Sequence, residues 1–155
     1  MKVDLAYGKT GLIIEVPENQ TNVIEPIYLP GLPDVNGTLV NAIRNPVGSL
    51  PLRQTVKPND RVAISVCDIT RPMPSSTVLP ILLRELGHVS RDNISILVAT
   101  GTHRSNNSEE LVNMLGEDVV KSYRVINHSA FNQDELTYVG TTSTDIPIWI
   151  NKIWI

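Results

Sequence analysis

Two short stretches carry the side chains of this chain whose types and order suit chemistry. The first, CDITRPMPSS, presents Asp68, Thr70 and Arg71 in a loop stiffened by Pro72 and Pro74. The second, VATGTHR, runs through Thr100 and Gly101 and delivers His103 beside Arg104. An imidazole ordinarily titrates near neutral pH and so can take up and return a proton in water. A guanidinium offers a planar fork that grips a carboxylate or phosphate at two points. A carboxylate beside an imidazole orients it, and a threonine hydroxyl can hold either partner. Taken singly, Asp68 reads more readily as a solvated turn residue and Arg71 as a surface charge. Brought together, they make a proton shuttle next to an anion grip, so the elements that carry the two loops decide the matter.

The run RVAISVCD is short, apolar and bounded by Asn59-Asp60, as a buried strand would be, and NISILVAT is a second run of the same kind. A helix is expected after each. In SSTVLPILLRELGHV, Val78, Ile81, Leu82 and Leu86 recur near helical spacing; Ser75 or Ser76 is the expected cap, and Pro80 is tolerable only near a first turn. In SNNSEELVNML, Asn106 and Glu109 fit a capping box in loosened form, and Gly116 ends the helix. Strands alternating with helices form a βαβα unit, which places the strands parallel in one sheet. Loops 68–75 and 100–106 then leave carboxyl ends of strands, where open α/β sheets form their ligand crevice. Each also leads into a helix N-terminus, which suits an anion.

The expected fold class is therefore α/β, a parallel-sheet βαβα core with flanking β-hairpins. KVDLAY and GLIIEVP flank Gly8-Lys9-Thr10-Gly11 as a first hairpin, and a Pro-rich loop follows over residues 17–34. Residues 1–34 form this hairpin-and-loop part and residues 35–155 the α/β core. The core opens with a helix over 35–44 capped by Asp34, disfavoured locally by Gly37 and ended by Asn45-Pro46. Residues 47–60 read as irregular. EDVVKSY adds a short helical piece, RVINHSA a third strand, and ELTYVG with DIPIWINKIWI a closing hairpin around Thr141 to Thr144.

Several function classes fall away. A formal charge of −3 with scattered Lys and Arg gives no basic footprint for nucleic acid, so a small molecule is the expected partner. No apolar run approaches the about 20 residues of a membrane span, and the N-terminus lacks the pattern of a signal peptide. A single Cys excludes an internal disulfide, which points to the cytoplasm, and Cys67 is expected to pack inside as a small hydrophobe. His88, in a helix tail, and His128, near a strand end, read as structural or solvated. No metal-ligand spacing is present, and the Gly101 loop matches neither GxGxxG nor a P-loop.

DITRPMPSSTVLPILLREL and ILVATGTHRSNNSEELVNMLGEDVV closely resemble the N-terminal domain of the lactate racemase family, the nickel-pincer-nucleotide enzymes; the pairing of D-x-T-R-P with A-T-G-x-H-R is specific, and the resemblance runs over roughly residues 40–155. It implies an isomerase, a racemase or epimerase of 2-hydroxy acids, in which a histidine handles the hydroxyl proton while the cofactor handles hydride. By motif match the resemblance implies that His103 is one of the family's two catalytic histidines, one for each enantiomer, and that Arg71 holds the substrate or cofactor anion. Asp68, Thr70, Arg71, Thr100 and Gly101 face the cofactor. The family's second catalytic histidine, tethering lysine and nickel-binding histidine have no counterpart here. The chain is accordingly expected to be an N-terminal domain lacking its C-terminal partner domain, inactive and without bound cofactor when alone. The alternative is a non-catalytic anion- or nucleotide-binding α/β module.

Overall fold

The computed structural model describes all residues from Met1 to Ile155, which divide into two compact units, Met1–Pro33 and Asp34–Ile155. In the first unit, strands β1 (Lys2–Leu5) and β2 (Leu12–Glu15) pair antiparallel with Leu5 opposite Leu12. The reversal is closed by the Gly11 amide on the Tyr7 carbonyl at 2.9 Å. A single 3-10 turn over Glu18–Gln20 follows, and the Pro-rich passage beyond it forms no regular element because proline supplies no ladder or helix donor.

The second unit begins with α1 (Val35–Arg44), capped as expected by the Asp34 carboxylate accepting from the Gly37 amide. Residues 47–60 are not wholly irregular: α2 (Leu52–Thr55) is a single turn, too short to leave a period in the sequence. The sheet is three-stranded and parallel in the order β3 (Val62–Cys67), β4 (Ile94–Ala99), β5 (Arg124–Asn127). Helix α3 (Ser75–Glu85) joins β3 to β4, and α4 (Ser108–Leu115) with α5 (Glu117–Ser122) joins β4 to β5. The unit thus runs one strand past the βαβα pattern, and the match of Val98 with both Val66 and Asn127 aligns all three carboxyl ends.

Side chains alternate across a strand. Val66, Ile94, Ile96 and Val98 therefore share one face, buried against Leu79, Leu83 and Leu86 of the α3 region and Leu115 and Val119 of α4 and α5. Ile96, Val98 and Leu115 are wholly buried. The same alternation corrects the expectation for Cys67: next to inward Val66 it falls on the opposite face, where it is exposed.

Three local readings are also corrected. Neither Ser75 nor Ser76 caps α3, whose N-cap is Pro74 and which has no side-chain cap bond. Pro80 lies at the sixth helical position rather than in the first turn; it is exposed, and so is Ser76, whose carbonyl loses its i+4 donor and can turn to water instead. The capping box of α4 uses Asn107 and Glu110, one residue later than Asn106 and Glu109. A closing antiparallel hairpin, β6 (Leu136–Thr141) with β7 (Pro147–Asn151), completes the unit, and its Tyr138 and Trp149 rings stand 5.4 Å apart. No helix is long and apolar enough to cross a membrane.

Candidate functional site

Because β3 and β4 are adjacent and parallel, the chain leaves both at the same edge, and the two loops of interest meet there. Asp68 is the first residue after β3 and is 5% exposed. Its Oδ1 accepts from the Thr70 hydroxyl at 2.6 Å and from the Thr70 amide at 3.2 Å, an Asx turn that fixes the plane of the carboxylate. The Arg71 amide closes a turn on the Asp68 carbonyl at 3.1 Å. With Oδ1 so held, Oδ2 faces across to the second loop and lies 2.5 Å from His103 Nδ1.

His103 reaches that position through a turn in which its amide donates to the Thr100 carbonyl at 2.9 Å. Gly101 is the second residue of the turn with φ +58°, a left-handed conformation that strains any residue with a Cβ. An ionised carboxylate only accepts hydrogen bonds, so the proton of this contact sits on Nδ1. The lone pair of a neutral His103 is then on Nε2, and the side chain is 51% exposed. Asp68 is held below the ordinary carboxylate range, first by the Thr70 hydroxyl and next by His103. It therefore stays ionised at neutral pH.

The two loops thus bring Asp68, Thr70 and His103 together. Arg71 stands on the same loop, ahead of the Pro74 cap of α3; it is exposed, and its guanidinium enters none of the chain's salt bridges. Thr100 sits in the same turn as Gly101 but is 2% exposed, with its hydroxyl donated to the His128 carbonyl, so its side chain serves the sheet edge. Gly101 is exposed and contributes backbone. His88 Nε2 bonds the Val56 carbonyl at the end of α2, and His128 extends the β5 ladder through its amide on Val98.

Three residues of this edge are not marked by sequence reasoning. Arg104 forms two hydrogen bonds to Glu110, at 2.8 and 2.6 Å, and Glu110 also accepts the Asn107 amide. Arg104 draws the Glu110 carboxyl down from 4.5 to about 2. Asn127, the last residue of β5, bonds both backbone groups of Asn106. The capping-box pattern carries some signal for Glu110; nothing local in the sequence marks Asn127.

No group of three His, Cys, Asp or Glu side chains is arranged to hold a metal ion. A hollow of about 970 Å³ lies at the opposite edge of the sheet, bordered by Arg61, Asp92, Arg124 and Trp154, and includes none of Asp68, Arg71 or His103. The carboxyl edge, an open surface bearing an oriented imidazole, is separate from this hollow.

Comparison with known proteins bears on this edge. The family profile described as the lactate racemase N-terminal domain matches residues 7–155, a span that starts well before the residue 40 set by the motifs. The chain is 38% identical over 117 residues to a lactate racemase of Lactiplantibacillus plantarum, covering 75% of the chain and 28% of that protein. It is 28% identical over 156 residues to a lactate racemase of Thermoanaerobacterium thermosaccharolyticum, covering 97% of the chain and 36% of that protein. The chain thus spans about a third of the length of these relatives. The structure of the lactate racemase apoprotein from T. thermosaccharolyticum superposes with a TM-score of 0.82 over 99% of the chain and 36% of the solved one, at 28% identity. A crystal structure of a protein from Thermotoga maritima gives 0.61 over 81% of the chain and 32% of its own, at 25% identity.

Proposed function

The chain belongs to the lactate racemase N-terminal domain family, and from that premise we propose that it is the N-terminal part of a longer isomerase that interconverts the enantiomers of lactate or a related short 2-hydroxy acid. The observation that carries the reading is the Asp68–His103 pair. A buried carboxylate fixed behind an imidazole serves proton transfer to and from a hydroxyl, and holding an anion does not require it.

In this mechanism the substrate carboxylate lies on the Arg71 guanidinium, whose two-point grip suits the planar anion. The substrate hydroxyl faces His103 Nε2, which removes its proton as general base and returns it as general acid. Asp68 holds the ring in the tautomer that leaves Nε2 free and stabilises the imidazolium formed in between. Thr70 keeps Asp68 in plane. Gly101 lets the chain reverse so that His103 arrives beside β3.

The donor groups of this chain do not fit the metal of the nickel-pincer nucleotide that the family resemblance implies. No three potential ligands converge, and both oxygens of Asp68, the Thr70 hydroxyl and the Thr100 hydroxyl already have protein partners. The cofactor therefore falls to the part of the enzyme that corresponds to the remaining length of the relatives, with Arg71 and the Gly101 backbone as this chain's exposed surface toward it. When bound there, that cofactor would supply the hydride exchange at the substrate Cα that inverts the centre, while the residues of this chain move only the hydroxyl proton. The lone unpaired Cys67 supports a reducing, cytoplasmic setting.

Chiral chromatography tests the reading. The complete-length protein should bring either pure lactate enantiomer to an equal mixture, and the 155-residue chain should leave both unchanged. Conversion by the chain alone would overturn the division of the site; failure of the complete-length protein on lactate and other short 2-hydroxy acids would overturn the activity.

A further inference from the structure

The loop that carries His103 is fastened at both ends to the third strand. At its entry the buried Thr100 hydroxyl donates to the His128 carbonyl at 2.5 Å. At its exit the Asn127 carboxamide acts as a surrogate strand: its Oδ1 accepts the Asn106 amide at 2.9 Å and its Nδ2 donates to the Asn106 carbonyl at 3.0 Å. Asn106 is 6% exposed, so these backbone groups have no water to turn to. His103 lies midway, three residues from either tie. β5 itself contributes no side chain to the contact between Asp68 and His103.

From this geometry we infer that Asn127 is a positioning residue for proton transfer, its carboxamide setting the length and path of the loop so that His103 Nδ1 meets Asp68 Oδ2. The inference rests on the reading of His103 as the proton-transfer group. A carboxamide is required because one bond needs an acceptor and the other a donor on the same planar group. Aspartate keeps the acceptor but sets a charge against the Asn106 carbonyl, and alanine supplies neither. The Asn106 side chain takes no part in this tie. Its Oδ1 has no partner, and its Nδ2 faces only the Met114 sulfur.

The test reads the imidazole itself, in the 155-residue chain, by long-range proton–nitrogen NMR of labelled histidine with thermal unfolding followed in parallel. The wild type should show His103 as the Nδ1–H tautomer, with that proton protected from exchange. N127A should lose the protection and give a mixture of tautomers, and N127D should do the same through the lost donor. N106A, which leaves the backbone tie in place, should keep the wild-type signature. If N127A does not fold, N127D decides. A wild-type signature in the folded Asn127 variant, or its equal loss in N106A, would overturn the inference. D68N separates the two claims: if it leaves the His103 signature unchanged, the Asp68–His103 pair itself is wrong, whereas a changed D68N beside an unchanged Asn127 variant removes Asn127 alone.

Discussion

Replacing Asp68 by asparagine changes one atom in shape and reverses the hydrogen-bond logic of the site. Thr70 donates to Oδ1 through both its hydroxyl and its amide, so the oxygen of the introduced carboxamide must take that place. Its NH₂ group then faces His103 Nδ1, which has to accept, and the ring proton moves to Nε2. The nitrogen that should receive the substrate proton is thereby blocked. Restoring the productive tautomer sets two donors against each other at a contact of 2.5 Å, an unmade hydrogen bond in a buried place, which weighs about 10- to 100-fold on the equilibrium. The imidazolium also loses its counter-charge, roughly a further tenfold for a charge-assisted bond. Turnover by the complete-length protein should therefore fall about 10²- to 10³-fold, within the range general acid-base groups contribute. The assay is steady-state racemisation of each lactate enantiomer, with unfolding of the variant measured alongside. A folded D68N enzyme within a few fold of wild type would refute the orienting role of Asp68.

Arg71→Lys keeps the charge but not the fork. The Michaelis constant for lactate should rise while the His103 NMR signature stays unchanged, and an unaltered constant would remove Arg71 from substrate binding. Glu110 has its folded pKa depressed from 4.5 to about 2 by Arg104, so its contribution to stability is complete above pH 4.5 and is lost as pH falls toward 2. In thermal unfolding, Glu110→Gln should flatten the acid side of the profile over that window; an identical slope in wild type and variant would show that the ion pair does not act on folding. Leu86→Ala, at a residue 1% exposed in the core, should cost about 2–5 kcal/mol by denaturant unfolding, and a loss under about 1 kcal/mol would mean that the α3 region does not seal this core.

The parts legible without coordinates are those in which the physics is local. Short, mostly apolar runs such as VAISVC and ISILVA mark β3 and β4, and the loops after them must share an edge once the strands are parallel. That alone puts Asp68 and His103 side by side. Where two residues are equally able, the sequence does not choose between them: Asn106 and Asn107 both suit a cap, and the reciprocal bond with Glu110 selects Asn107. For Cys67 residue type argues burial, while strand alternation beside Val66 decides its face. Four residues of α2 carry no period. Asn127 is illegible for a different reason, since its partner lies 21 positions away and the bond is to backbone.

Substituting His103 by alanine in the complete-length protein, and measuring conversion of L- and D-lactate by chiral chromatography per cofactor-loaded molecule, tests the central claim most directly. Cofactor loading should persist, because His103 is not among its proposed holders, while conversion in both directions should drop by about 10²- to 10⁴-fold, the ordinary contribution of a proton-transfer group. Near wild-type conversion in either direction by the loaded, folded variant would contradict the account and leave His103 as an ordinary loop residue.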